Sequence, residues 1–304
     1  MSKAPLRIGV WFNSSHIGFG GPSLVLLGTL LGFAQQDEQP ILLLNEPGDV
    51  NWFLDHTQNL GDDVARVPDA YLGPLVFGNG DAEIEDYTKH QLWKCGTHFL
   101  APSHWYRWWI QQGLPFDNKE KAEHRTCDIW GAGVDTDFFR PLNTPKTQDF
   151  FIYFKSQNYP HLQQIHQYLF HNYFHFRGSI LVYYHYDKEM LRHHARSSRF
   201  CIMLDGTETQ GLASLEIMAC DCPLFVLDCT KHSGKHISMT GATSVPCMDA
   251  TCGMKSSLDN MSNDFPTFLA ALPVFHSRDY VCASYSYKAA ATNLLRLITG
   301  KHHE

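Results

Sequence analysis

The sequence predicts an α/β protein built from two parallel-sheet domains, and three observations carry that prediction. Short apolar runs suited to strands buried on both faces alternate with longer segments of helical period. The alternation is interrupted once, by the polar, two-proline stretch Arg140-Pro-Leu-Asn-Thr-Pro-Lys-Thr-Gln-Asp149, and then restarts. The chain has 304 residues, enough for two domains of about 150 residues each.

Taken in order, Leu6–Phe12 reads as the first strand, and the Ser/Gly-rich loop Asn13–Pro22 follows it. Pro22 and Ser23 suit the start of a helix running to about Gln36. Pro40–Leu44 is the second strand, and Asn45-Glu-Pro-Gly-Asp49 is a turn. This β-loop-α-β unit seeds a parallel sheet. Tyr71–Phe77 gives a further strand, a Gly-Asn-Gly-Asp turn follows at 78–81, and an acidic helix start lies near Ala82. Thr97–Ala101 is a short strand, after which Ser103 is placed to cap a helix that ends at Gly113. Asp128–Trp130 is one more strand, stopped by Gly131-Ala-Gly133.

Beyond the linker, Phe150–Phe154 is a strand, a helix covers about His161–Phe174, and Ile180–Tyr184 is the next strand. A helix over Lys188–Ser197 leads to the strand Arg199–Leu204. A helix over about Ala213–Cys220 and the strand Pro223–Leu227 follow. Residues 230–265 are polar and glycine-rich and show no usable period, whereas Tyr287–Ile298 is an amphipathic helix.

Composition narrows the function classes. Apolar residues make up 44% and charged residues 18% of the chain, which implies a sizeable core and argues against global disorder. A formal net charge of −7 lacks the basic surplus of a nucleic-acid binder, so no nucleic-acid partner is expected. The nine cysteines are odd in number, and several sit inside apolar runs such as Phe200-Cys-Ile-Met-Leu204. Buried free thiols in a reducing compartment are the simplest reading. The longest apolar stretch, Leu24–Phe33, is too short to span a bilayer and contains glycines. A soluble, cytoplasmic protein is expected, with contact at a membrane surface left open.

The most informative stretch is Glu208-Thr-Gln-Gly-Leu-Ala-Ser-Leu-Glu216, which runs on into Ile-Met-Ala-Cys-Asp-Cys-Pro223. Two carboxylates flank a glycine turn that opens an apolar helix. Such a turn offers unpaired backbone N–H groups and a helix dipole to an anion, and carboxylates accept hydrogen bonds from hydroxyls. A ligand carrying both phosphates and hydroxyls, such as a nucleotide sugar, suits that pairing.

Several segments, in order, resemble glycosyltransferase family 4. Trp130-Gly-Ala-Gly-Val-Asp-Thr-Asp-Phe-Phe-Arg-Pro141 is similar to the family's interdomain NGVDxxxFxP segment, and Ala101-Pro-Ser-His104 to its xPS strand-to-helix junction. Glu208–Glu216 resembles its E-x7-E motif, and Glu216–Pro223 the EAMACGxP continuation. Gly20-Gly21 resembles the glycine pair after the first strand, and Tyr285-Ser-Tyr287 the approach to its last helix. The resemblance implies a GT-B fold: two Rossmann-like domains with parallel sheets facing a central cleft, and a C-terminal helix crossing back to the first domain. It implies an acceptor-side domain over 1–142, a nucleotide-sugar domain over 143–284, and the returning helix over 285–304. The implied reaction moves a sugar, with retention, from a nucleoside diphosphate sugar to the hydroxyl of an acceptor such as a glycan, with no cofactor and no catalytic metal.

In that scheme negative charge builds on the leaving diphosphate, and the protein's main task is to stabilise it. Lys155 and the N–H groups of Gln210, Gly211 and Leu212 are the candidates. The resemblance assigns Glu208 to sugar hydroxyls and Glu216 to the ribose. The family places an arginine near position 155 and a lysine about five residues on; Phe154-Lys155-Ser-Gln-Asn-Tyr-Pro-His161 offers Lys155 and then only a histidine. Lysine serves a phosphate as a point charge without the arginine fork. Asp221 stands where the family has glycine, which bears on the helix C-cap. A hydrolase is disfavoured. Eight helical residues separate two Cα atoms by about 12 Å, whereas glycosidase carboxylates lie roughly 5–9.5 Å apart.

Other features are weaker. Gly18-Phe-Gly20-Gly21-Pro-Ser23 lacks the third glycine of a dinucleotide loop, which disfavours a dehydrogenase; Gly20 and Gly21 allow a close approach to phosphate or sugar, or form a plain tight turn. Asp81, His16 and His104 are acceptor-side candidates that equally suit loop or capping chemistry. The cluster Trp105-Tyr-Arg-Trp-Trp109 is read as core packing first and an aromatic patch second. Among 18 histidines, His193 and His194 are adjacent, and His171 and His175 lack the glutamate of a zinc helix. Cys95-Gly-Thr-His98 has no second pair, so no metal site is expected. Two rivals remain: a catalytically weak nucleotide-sugar or glycan binder, and a GT-B nucleotide-sugar epimerase.

Overall fold

The computed structural model describes residues 4–13, 21–55, 60–67, 69–74, 98–113, 126–143, 145–156, 158–204, 206–233 and 238–300. They form two compact units. One comprises the described residues of Met1–Gly133 and Ser286–Glu304, with the short piece Ser233–Ser238, and the other those of Val134–His232 and Met239–Tyr285.

In the first unit, β1 (Arg7–Trp11), β2 (Ile41–Leu44), β3 (Val50–Phe53), β4 (Ala70–Leu72), β5 (His98–Ala101) and β6 (Thr126–Ile129) form one sheet in the order β2-β1-β3-β4-β5-β6. Every neighbouring pair is parallel. Helices α1 (Gly21–Ala34), α2 (Leu60–Ala65) and α3 (His104–Gly113) lie between strands. Ile8, Val10, Trp52 and Phe53 are fully buried, as strands covered on both faces require. Strand β3 has no counterpart in the sequence prediction. It has four residues, follows Pro47-Gly48, and carries Asn51 at its second position, so no apolar period shows. The structure accommodates the buried amide because Asn51 Oδ1 accepts from the Trp11 indole at 3.1 Å and from the Gly48 N–H at 3.0 Å.

The last helix, here α9 (Tyr287–Ile298), packs on α1 within this unit. Ser286 caps it, its side chain accepting from the Ala289 N–H. Gly28 and Gly32 of α1 make the approach close. A Cβ at Gly28 would lie 2.4 Å from the Tyr287 ring, and one at Gly32 would lie 2.2 Å from the Tyr287 carbonyl oxygen. The Trp130 indole donates to Ala290 O at 2.9 Å, and Gln36 Nε2 donates to Lys288 O at 3.1 Å.

In the second unit, β7 (Gln148–Phe154), β8 (Gly178–Val182), β9 (Ser198–Leu204), β10 (Leu224–Leu227) and β13 (Gly253–Ser256) form a parallel sheet in the order β13-β10-β9-β7-β8. Strands β11 (Lys231–Ser233) and β12 (Ser238–Thr240) pair as a separate ribbon. The helices are α4 (Tyr159–Asn172), α5 (Lys188–Ser197), α6 (Leu212–Ala219), α7 (Met261–Ala271) and α8 (Ser277–Tyr285). Asn158 caps α4, with Pro160 in its first turn, and Asp187 caps α5. One face of the sheet is filled by Phe200, Phe225, Phe265 and Phe268, the other by Tyr153, Leu191, Leu215 and Ile217. Helix α7 begins in the stretch that shows no period and runs past it. Pro266 and the polar run Ser262-Asn-Asp264 mask an inner face of Met261, Phe265 and Phe268.

Residues 134–142 pack with the second unit because two arginines hold their carbonyls. The Arg278 guanidinium donates to Phe139 O at 3.0 Å, Thr136 O at 3.1 Å and Ala219 O at 2.6 Å. Arg196 donates to Arg140 O at 2.6 Å and Phe138 O at 2.9 Å. Asp221 takes the left-handed conformation that glycine would favour, at φ 54°, and still closes α6 through its N–H to Met218 O at 2.9 Å.

Candidate functional site

Numbered within its own unit, the second sheet runs 2-1-3-4-5. Its order therefore reverses between β7 and β9, and ligands of open α/β sheets bind beyond the carboxyl ends of the strands at such a reversal. Phe154 of β7 and Leu204 of β9 are register partners at this edge. The N–H groups of Lys155 and Ser156 both donate to Leu204 O, at 3.1 and 3.3 Å. Lys155 thus leaves the sheet at the reversal point, beside the chain that leads from β9 to Glu208.

The Lys155 ammonium forms an ion pair with the Glu208 carboxylate, and both side chains are only partly exposed. The ammonium also lies 4.9 Å from the centre of the Tyr183 ring, a cation–π distance. Tyr183 is fixed just after β8 by its N–H to Phe154 O at 3.0 Å, and the hydroxyls of Tyr153 and Tyr186 meet at 2.9 Å beside it. Glu208 is held from below. Its N–H donates to Thr243 O at 3.0 Å, and Asp228, just after β10, accepts from the Thr243 hydroxyl and the Ser244 N–H, each at 2.7 Å. Lys255 on β13 donates to Thr243 Oγ1 at 2.6 Å; burial pushes its ammonium pKa down, against the opposing pull of Asp228 and Cys247.

Gly211 sits before α6 at φ 77°, a left-handed position that a side chain would strain. Its carbonyl accepts from the Ser214 hydroxyl at 2.7 Å and the Ser214 N–H at 3.2 Å. Helix geometry leaves the N–H groups of Leu212 and Ala213 without intrahelical acceptors. Glu208 lies outside the helix, so the spacing that a continuous helix would give the two glutamates does not apply.

Glu216 lies on the inner side of α6, only 5% exposed. The Lys188 ammonium, from the first residue of α5, donates to both of its oxygens, at 2.5 and 2.6 Å. Burial pushes the Glu216 carboxyl pKa above its ordinary value; Lys188 draws it back, and the carboxylate of Asp135 adds to the rise. Burial prevails even though an ammonium spans both oxygens, because almost no water reaches the carboxylate.

Lys155, Glu208, Gln210, Gly211, Leu212 and Glu216 therefore fall on one end of the second unit. Gln210 is buried and Leu212 opens α6. Gly21 begins α1 in the first unit, and a Cβ there would meet open space, so packing does not require that glycine. Gly20, His16 and Asp81 lie outside the described residues. His104 is the exposed first residue of α3. The expected Ser103 cap is not formed by its hydroxyl, which is buried and meets no partner among the described residues; its carbonyl accepts from the Arg107 N–H at 2.9 Å. Within the aromatic cluster Trp105 and Tyr106 are buried edge to face, whereas Trp108 is 46% exposed. Among the described residues no group of three or more His, Cys, Asp or Glu is placed to hold a metal ion, and no helix is long and apolar enough to cross a membrane.

Two contributors escape sequence reasoning. Lys188 shows only as the start of a helix, and its partner lies 28 residues away. Asp228 and Thr243 meet across 15 residues, most of them at the start of the stretch without a period. The one local signal was Asp187-Lys188-Glu189, which marks a helix N-terminus and says nothing of a carboxylate opposite.

No family model matches the chain, and no curated protein matches it by sequence. Solved structures do match its fold. The N-terminal domain of trehalose-6-phosphate phosphatase from Candida albicans superposes with a TM-score of 0.63 at 10% identity, over 100% of this chain and 99% of that one. The catalytic domain of starch synthase IV from Arabidopsis thaliana, bound to ADP and acarbose, gives 0.61 at 7% identity, over 98% and 99%. A lipopolysaccharide outer core galactosyltransferase in its apo form gives 0.58 at 10% identity, over 98% and 100%. The chain has the GT-B type of fold, two Rossmann-like units each with a parallel sheet.

Proposed function

We propose that the protein is a glycosyltransferase that takes a sugar from a nucleoside diphosphate sugar and delivers it to a hydroxyl acceptor, probed first as a glycan. The observation that carries this reading is the Lys155–Glu208 pair at the sheet reversal, beside the open N-terminus of α6. Two of the fold relatives agree with it, a starch synthase bound to ADP and a galactosyltransferase.

In this reading the incoming diphosphate takes Lys155 as its counter-ion, and the N–H groups of Leu212 and Ala213 donate to a phosphate oxygen at the helix N-terminus. Glu208, released from Lys155, accepts hydrogen bonds from sugar hydroxyls. Glu216 accepts from the ribose. The bond from the anomeric carbon to the diphosphate oxygen breaks with its electron pair on that oxygen, where Lys155 and the N–H groups meet the growing charge. The acceptor oxygen forms the new bond to the anomeric carbon. With retention, attack and departure share one face, and the acceptor proton passes to the departing diphosphate. The scheme assigns no step to a metal or cofactor.

A second reading, a catalytically weak binder, draws on one feature: Lys155 and Lys188 are each matched by a glutamate, so these four groups present no net positive charge to a diphosphate. Thermal-shift titration with UDP, GDP, ADP and their sugars tests the first step, since a ligand of the native state raises its melting temperature by mass action. One nucleotide class should stabilise the protein. Transfer or donor hydrolysis by the pure protein excludes the weak binder, and a flat response to all three nucleotides refutes donor binding.

A further inference from the structure

We propose that Lys188 is a positioning residue that keeps the enclosed Glu216 carboxylate ionised and aimed, so that the vicinal diol of a donor ribose meets two charged acceptors. The proposal rests on the donor reading of Glu216 given above. The geometry is specific. One ammonium spans both carboxylate oxygens at 2.5 and 2.6 Å, leaving each oxygen a lone pair for a hydroxyl. The Lys188 side chain is 39% exposed and that of Glu216 only 7%, so the lysine closes the carboxylate off from bulk water while its own charge stays hydrated. Its ammonium also lies 6.0 Å from the centre of the Phe139 ring, which bounds it on another side.

The groups facing Glu216 make the lysine decisive. From α5 comes Lys188. From the segment before β7 comes Asp135, whose carboxylate accepts from the N–H groups of Asp137 and Phe138 at 3.0 and 2.8 Å. At the C-cap of α6 the charge-coupled neighbour is the buried Cys220 thiol. Without Lys188, Glu216 faces burial and a second carboxylate with no opposing cation among these groups, and its carboxyl holds a proton to higher pH. A neutral acid offers one donor and fewer acceptor sites, and hydrogen bonds to an ionised acceptor are the stronger kind.

Two measurements test this. The first is the titration of the Glu216 side-chain carboxyl by NMR in glutamate-labelled protein, assigned with Glu216→Gln. Lys188→Met should move that titration to higher pH, and Lys188→Arg should hold it near its wild-type position. The second is the affinity of the nucleoside diphosphate selected by the thermal-shift panel, compared with its 2′-deoxy form across pH 5.5–9. Lys188→Met should weaken the ribonucleotide about tenfold near pH 7.5, weaken the 2′-deoxynucleotide, which keeps its 3′-hydroxyl, by clearly less, and have no further effect in a Glu216→Gln background. A carboxyl titration that does not move in Lys188→Met overturns the proposal whatever binds. Equal losses for ribo- and deoxynucleotide overturn its diol half. If wild type binds no nucleoside diphosphate, the donor reading and the diol half fall together, while the carboxyl titration still decides the lysine's hold on Glu216. Should Lys188→Met not fold, Lys188→Gln carries the test: a carboxyl titration moved to higher pH supports the proposal, and one at the wild-type position overturns it.

Discussion

The two units reverse strand order at the same place, between their first and third strands, and use the polar groups there differently. In the first unit two of them accept from backbone N–H groups. Asn45 after β2 accepts from the Phe12 N–H at 3.0 Å, and Asp55 after β3 accepts from the Asn13 N–H at 2.8 Å. In the second unit Glu208 and Glu216 accept from the side chains of Lys155 and Lys188, which are flexible and partly exposed. A carboxylate bound to backbone fixes a loop and is costly to release. The Lys155–Glu208 pair, partly exposed on both sides, is worth about 1 kcal/mol or less and exchanges readily for a ligand. One topology thus yields a braced edge in one unit and an exchangeable one in the other.

Glu208→Ala tests the exchangeable edge most severely. Loss of the sugar-side acceptor should lower transfer or donor hydrolysis by about 10²–10³-fold, the scale of removing one aligned polar group from a transition state. Stability should change by less than about 1 kcal/mol, because the pair is partly exposed. Initial rates with the preferred donor, beside a urea melt, separate the two effects. An unchanged rate would remove Glu208 from the chemistry and leave the two edges functionally alike.

The first unit answers to packing instead. Gly32→Ala would place a methyl group 2.2 Å from the Tyr287 carbonyl oxygen and 2.8 Å from Ala291 Cβ. Backbone cannot yield as a flexible side chain does, so the expected loss is about 1–3 kcal/mol, read as a lower urea midpoint with an unchanged slope. A melt identical to wild type would show that α9 does not bear on α1 as closely as the structure has it.

These contrasts also explain what the sequence disclosed. The placement of Glu208, Gly211 and Glu216 was legible because it is local: a left-handed glycine, a helix start, and acids within one turn-helix segment. The strand-helix alternation of both units was legible because β1, β7 and β9 each carry an apolar run of four or five residues. Strand β3 was not, since four residues with a buried Asn51 imitate a loop until the Trp11 indole is seen to satisfy the amide. Lys188 and Thr243 were hidden for a different reason. Their partners are set by which strands adjoin, and a long-range polar pair leaves no period in the chain. The glycines of α1 were visible as residues, but their use against Tyr287 depends on a helix that begins more than 250 residues later.

The smallest effect has the most informative sign. Glu216 has a carboxyl pKa raised above the ordinary 4.5, chiefly by burial, so it binds its proton more tightly folded than unfolded. Ionisation therefore counts against the fold at neutral pH, and that cost disappears as pH falls through the folded pKa toward 4.5. Glu216→Gln removes the ionisation and leaves Lys188, which is exposed enough to stay hydrated, so the usual penalty for stranding a buried charge does not arise. The variant should melt above wild type at pH 7.5 by about 2–4 °C, the shift ~1 kcal/mol makes in a domain of this size, and the gap should close on acidification. Nucleotide affinity should fall in the same protein. A variant that melts below wild type at pH 7.5 would mean that the ion pair stabilises the fold outright, placing Glu216 with the braced Asp55 of the first unit; a variant that melts above it and draws level on acidification means the second unit holds a destabilising charge at the place where a ligand would use it.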